Sequence, residues 1–258
     1  MIDPPPRSHW PIFTLSSAAA LFNMLLPLFL VRLLPPDQIG TFKIFFLYLS
    51  LTPALSLSTG LINGLSLWGG QGAAGRRVIN AAALTIWGAA LLFAAAVYAS
   101  APPAAQLALG PHTALFAAAV ISAVAGPFFE EAAISTGRIW SGAIFSAGFE
   151  IARSATMVAT AYLCRDLTAV LAAHVALGWL KVACGAVWAA RLGLAGRVTD
   201  REVYRQLWRY AFPVSIAGLV AVPLGFADQL IVSSRVPPAE YAFFAIGGLA
   251  IPPLYILE

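Results

Sequence analysis

Charge is the scarcest commodity in this chain. Only 10% of its 258 residues are charged, whereas 60% are hydrophobic and the mean hydropathy is +0.83. A water-soluble domain carries roughly 25% charged residues, so water is excluded as the main surroundings and lipid is expected. Cysteine is nearly absent as well. Cys164 and Cys184 are expected at opposite ends of neighbouring spans, too far apart for a disulfide, and read as free apolar thiols. Three histidines (His9, His112 and His174) are well separated. No His-x-x-Glu-His, Gly-x-Ser-x-Gly or comparable spacing occurs, which leaves no enzyme constellation, metal site or cofactor to propose. The run from Gly69 to Arg77 is glycine-rich but lacks the Gly-Lys-Ser/Thr ending and the preceding strand of a phosphate loop. It reads as an inner loop. Met1 to Trp10 holds three prolines and the first apolar run is too long for a signal-peptide core, so no cleavable leader is expected.

What the chain has in abundance is apolar runs. A spanning helix needs about 20 mainly apolar residues. Such runs are expected at 11–34, 39–66, 78–100, 112–135, 142–164, 167–190 and 210–233, with an eighth beginning near 240. The class is an all-α membrane protein.

Two of these regions are copies of one design. Trp10-Pro11 is followed 24 residues later by Pro35-Pro36, and Phe212-Pro213 is followed 24 residues later by Pro237-Pro238. The differences 213 − 11 and 237 − 35 are both 202, and at that offset Ala19, Leu28, Phe42, Ile44 and Leu47 meet identical residues. Six spans separate original from copy, so the copies cross in the same direction, as parallel transporter repeats do. The expected organisation is a six-helix lobe over 1–194, a linker helix over 195–209 and the opening hairpin of a second lobe over 210–258. Because the chain stops inside its eighth apolar run, it is read as a fragment. The second hairpin is expected to stand apart from the first six spans and to superpose on the first about an axis along the membrane normal.

The basic residues set the orientation. Arg7, Arg76, Arg77, Arg138, Arg191, Arg197, Arg201, Arg205 and Arg209 fall on the N-terminal side, and only Arg32, Lys43, Arg165 and Arg235 on the other. By the positive-inside rule the N-terminus is cytoplasmic, and the net charge of +4 reflects topology and not a nucleic-acid partner. In the linker, Thr199 and Glu202 form a capping-box pattern. Arg201, Arg205 and Arg209 share one face, with Val203, Leu207 and Tyr210 on another. This is an interfacial helix whose arginines anchor it to the leaflet or meet lipid headgroups or substrate phosphate.

Charges inside spans are costly and usually face a cavity or a partner. Arg153 lies near mid-depth in span five with Glu150 one turn before it, at ion-pair spacing. Lys181 lies in span six, with His174 seven residues earlier. Asp228 lies in span seven, Arg32 at the outer end of span one, and Glu130-Glu131 at the cytoplasmic end of span four. Either these charges neutralise one another and hold the bundle together, or Arg153, Lys181, Glu150, Asp228 and His174 line a water-filled, mainly cationic cavity. His174 reads as packing more readily than as a proton relay.

The stretch from Leu207 to Pro213, then Phe226-Ala227-Asp228-Gln229-Leu230, then Pro237 to Ile246, then Ile251-Pro252, resembles the seventh and eighth helices of polysaccharide flippases. These are the O-antigen and exopolysaccharide translocases of the multidrug/oligosaccharidyl-lipid/polysaccharide superfamily, MATE-like in fold. The run Arg32 to Phe42 resembles that family's opening hairpin, and Gly137-Arg138 its short inner loop. The resemblance implies two six-helix lobes, alternating access about a central cavity, and outward flipping of polyprenyl-diphosphate-linked oligosaccharide across a bacterial inner membrane. It implies membrane lipids and a polysaccharide polymerase or glycosyltransferase as partners. Arg153 and Lys181 would neutralise the diphosphate or acidic sugars, with Glu150 holding Arg153. A drug/cation antiporter of the same superfamily, using Asp228 or Glu150 for the coupling ion, and a non-transporting scaffold of an export complex are the other readings.

Overall fold

Apolar runs of spanning length, interrupted by proline and glycine, can satisfy their backbone in lipid only as helices. The computed structural model describes residues 10–68, 72–99, 109–191 and 201–247, and among these there is no strand. The helices are α1 (Trp10–Leu30), α2 (Pro36–Leu55), α3 (Ser58–Trp68), α4 (Gly72–Ala99), α5 (Thr113–Ser135, entered through a 3-10 turn at Gly110–His112), α6 (Ile139–Cys164), α7 (Leu167–Arg191), α8 (Arg201–Gly225), α9 (Ala227–Ser233) and α10 (Pro238–Gly247). By length and apolarity, α1, α4, α5, α7 and α8 can each cross a membrane, and α2 with α3 is apolar and long enough only as a pair, bent by 57° between the two helices. At 26 residues α6 is also long enough, but it is less apolar than these because it carries Glu150 and Arg153.

The second span is therefore two helices and not one. Pro53 sits near the end of α2, where its missing N–H weakens the ladder. Leu57 then adopts a left-handed φ of +57°, and the chain restarts at Ser58. The loosened carbonyls find local donors, since the Oγ atoms of Ser56 and Ser58 donate to Pro53 O at 3.2 and 3.0 Å. Turns elsewhere have equally local causes. Gly137, at φ +82°, occupies the backbone region that L side chains avoid and lets α5 hand over to α6 within a few residues. Between α6 and α7, Arg165 is left-handed and Asp166 Oδ2 accepts the Ala169 N–H at 3.0 Å, capping α7.

The internal repeat reappears as matching corners. Leu34 N–H donates to Leu30 O and Ile39 N–H to Pro35 O, at 2.9 and 3.1 Å. At the same offset, Val236 N–H donates to Val232 O and Tyr241 N–H to Pro237 O, at 3.1 and 3.0 Å. The copies differ before that corner, because α1 runs unbroken whereas its counterpart breaks at Phe226 between α8 and α9. The linker arginines and the seventh span also belong to one helix, α8, instead of a surface helix followed by a separate span. Thr199 of the expected capping box lies outside the described residues. So do the Pro102-Pro103 loop, Ile251-Pro252 and the remainder of the eighth span.

The hairpin that was expected to open a second lobe does not stand apart. α10 lies along α2, and α8 packs on α3 with further contacts to α2 and α4. Two glycines permit this approach: a side chain at Gly40 would run into the Pro238 backbone, and one at Gly60 into the Ala211 backbone. The hairpin docks on the α2–α3 edge and not in the middle of the bundle of α1 to α7, whose core is mostly Leu, Ile, Phe and Ala from α2, α4, α5, α6 and α7.

Candidate functional site

Polar side chains in an apolar bundle gather where they can satisfy one another, and here they gather where α1, α6 and α7 meet. Glu150 and Arg153 stand one turn apart on α6 and form an ion pair. Lys181 Nζ on α7 lies 3.8 Å from Glu150 Oε1, so one carboxylate serves two cations. Asn23 on α1 completes the cluster. Its Nδ2 donates to Glu150 Oε2 at 3.0 Å, and its Oδ1 accepts from Arg153 Nη2 at 3.3 Å and from the buried Ser154 Oγ at 2.8 Å. The side chains of Arg153, Glu150 and Lys181 are 27%, 24% and 13% exposed.

Glu150, Arg153 and Lys181 line a cavity of about 270 Å³ between α2, α5, α6 and α7. Proline and small residues open it: Pro53 and Pro127 stand in its wall, Gly178 abuts Ser122, and Gly126 faces the Lys181 stem. Phe46 and Phe149 supply apolar wall, and Ser50 and Ser122 supply hydroxyls. Two cations against one carboxylate leave the lining with an excess of positive charge. Arg153 Nε is buried with no hydrogen-bond partner among the described residues, so a guanidinium N–H is left over there after Glu150 and Asn23 have been served. Bidentate guanidinium donors suit phosphate and carboxylate oxygens.

Not every expected site residue comes to this place. His174 lines the same cavity, but it is only 4% exposed and packs edge-on against Phe46, with ring centroids 4.7 Å apart. Its Nδ1 is buried without a hydrogen-bond partner among the described residues. Asp228, on α9, is exposed and does not line the cavity. Arg201, Arg205 and Arg209 form the exposed face of α8 opposite buried Leu207. Arg205 pairs there with Glu202 at 2.9 Å, and Gln206 donates to the same carboxylate at 3.0 Å. Tyr210, from the other face, meets Trp68 edge-on at 5.3 Å. Sequence reasoning missed Asn23 and Ser154. Asn23 carried a readable signal, since it is the sole side-chain amide in α1 and an amide deep in a span needs partners. Ser154 carried none, because serine can bond its own helix.

No family model matches the chain, and no curated protein does. Among solved structures it is similar to an inward-facing multidrug resistance MATE family transporter of the MOP superfamily, with a TM-score of 0.60 and 14% identity, over 88% of this chain and 56% of that one. The fold is MATE-like. The chain thus spans little more than half the length of that transporter. Within the MATE-like frame, the charged cavity lies between α2, α5, α6 and α7, and the α2–α3 edge receives α8 and α10.

Proposed function

We propose that this chain belongs to a two-lobe flippase that moves polyprenyl-diphosphate-linked oligosaccharide outward across a bacterial inner membrane, with its N-terminus cytoplasmic. Residues 1–194 would be one lobe, 195–209 the linker and 210–258 the start of the other. The observation that carries this reading is the cavity in which Arg153 and Lys181 share the single carboxylate of Glu150 while a buried Arg153 N–H stays unpartnered. Such a lining favours an anionic group over a cationic drug. Arg153 would take phosphate oxygens in bidentate fashion, Lys181 would add a point charge, and Glu150 with Asn23 would hold the guanidinium in place. Rocking of the lobes would expose the cavity to either side in turn. A polymerase or glycosyltransferase would act before or after this step.

Glu150 favours a second reading, because a carboxylate at the centre of a cluster is also where an antiporter would load its coupling ion. Substitution separates the two. In the full-length protein, Arg153→Ala and Lys181→Ala should each impair surface polysaccharide at unchanged protein level, and Arg153→Lys should restore only part of it. Normal export by the Arg153→Ala, Lys181→Ala double variant would refute the cationic-cavity mechanism. Loss of ion-coupled drug efflux in Glu150→Gln, with export of polysaccharide absent throughout, would establish the antiporter.

A further inference from the structure

A second cavity, about 560 Å³, lies between α1 and α6 and is almost wholly apolar. Phe22, Leu26, Phe29 and Leu33 come to it from α1 and its C-terminal turn, at spacings i, i+4, i+7 and i+11, which is one stripe of a helix. Ala155, Ala159 and Tyr162 come from α6 at i, i+4 and i+7. Two facing stripes enclose a single trough, about 16 Å long at about 1.5 Å of rise per residue. Leu26 and Ser154 are its buried floor, and Phe22, Phe29 and Tyr162 are exposed at its rim.

The two ends of the trough are polar in different ways. At one end Ser154 gives its hydroxyl to Asn23, and through it touches the charged cluster of the cavity. At the other end stands Arg32, exposed and in no ion pair among the described residues. An apolar slot for one chain, closed by one unpaired guanidinium, is complementary to a single-chain lipid with a phosphate head. We infer that the trough binds the isoprenoid chain of a polyprenyl phosphate or diphosphate, with its phosphate on Arg32. A glycerophospholipid fits less well, because its second chain finds no second trough. This inference rests on the flippase reading and deepens it: the trough would hold the carrier lipid, its phosphate on Arg32, at a site apart from the charged cavity, with Ser154 between the two.

The test uses the purified full chain in lipid nanodiscs and a polyprenyl phosphate bearing a photoactivatable diazirine on its chain, with a diazirine phosphatidylglycerol as comparison. Crosslinks from the polyprenyl probe should map to residues 22–33 and 155–162. Unlabelled polyprenyl phosphate should compete for them, and phosphatidylglycerol should not. Ala159→Trp and Ala155→Phe, both at exposed positions, should fill the trough without entering the core. Arg32→Gln removes a charge-assisted hydrogen bond and should weaken capture about tenfold. Equal capture of both probes, labelling confined to other helices, or capture unchanged in all three variants would overturn the inference. Capture is read independently of export. A labelled trough in a parent protein that exports no polysaccharide sinks the flippase reading alone, and an unlabelled trough with export that the Arg153→Ala, Lys181→Ala variant loses sinks this inference alone.

Discussion

An asparagine side chain offers one carbonyl oxygen and two N–H donors, and Asn23 uses both ends. It donates to Glu150 and accepts from Arg153 and Ser154. Removing it should leave a carboxylate and a guanidinium each short of a partner in a largely buried cluster. We predict that Asn23→Ala lowers stability by about 1–3 kcal/mol, read as an earlier thermal transition of the detergent-purified protein. An unchanged transition would mean that the ion pair needs no help from α1. Glu150 and Arg153 were legible as a pair from their spacing alone, because helix geometry is local. Asn23 lies 127 positions from Glu150, and no local rule connects them.

At the scale of the element, the second span shows how a break is made tolerable. The left-handed Leu57 frees its carbonyl from the helix ladder, and Ser215 of α8 donates to it at 2.8 Å. The same hydroxyl accepts the Gly60 N–H at 3.2 Å, and Gly60 lacks the side chain that would keep α8 away. The bend between α2 and α3 is thus completed by a residue of α8. Replacing Ser215 with Ala should cost about 1 kcal/mol and speed amide hydrogen exchange at Gly60 several-fold, with little change in α4 or α5. Exchange at Gly60 that matches the parent protein would show that the bend is held by its own serines. A continuous apolar run conceals such a break. Pro53 hints at it, but whether a proline kinks or ends a helix depends on what lies beside it.

For the whole molecule, we predict from the nine-to-four excess of basic residues on the N-terminal side that this side is cytoplasmic. With Cys164 and Cys184 replaced by Ser, a cysteine at Gln106 should react with an impermeant thiol reagent in intact cells. One at Gly196 should react only after the membrane is opened. Labelling of Gly196→Cys in intact cells would reverse the orientation and, with it, the direction assigned to transport. The same whole-molecule view explains the exposed Phe22, Leu92, Tyr162 and Leu163, which would be a liability in water and are ordinary against lipid.

Composition and apolar period by themselves determined that this is an all-helical membrane chain, and the offset of 202 residues determined that it contains a repeat. Both follow from short-range rules: a backbone in lipid must satisfy its own hydrogen bonds, and similar segments turn similar corners. Leu34-Pro35 and Val236-Pro237 do so with the same bonds. Only the tertiary structure decided which polar groups meet. It placed Lys181 beside Glu150, brought in Asn23, moved Asp228 away from the cavity, and joined the linker to α8. It also closed the second hairpin onto α2 and α3, where sequence reasoning had kept it apart. The physical reason is that helix-to-helix register is set by packing across the bundle, through Gly40 against Pro238 and Gly60 against Ala211, between residues about 150 to 200 positions apart.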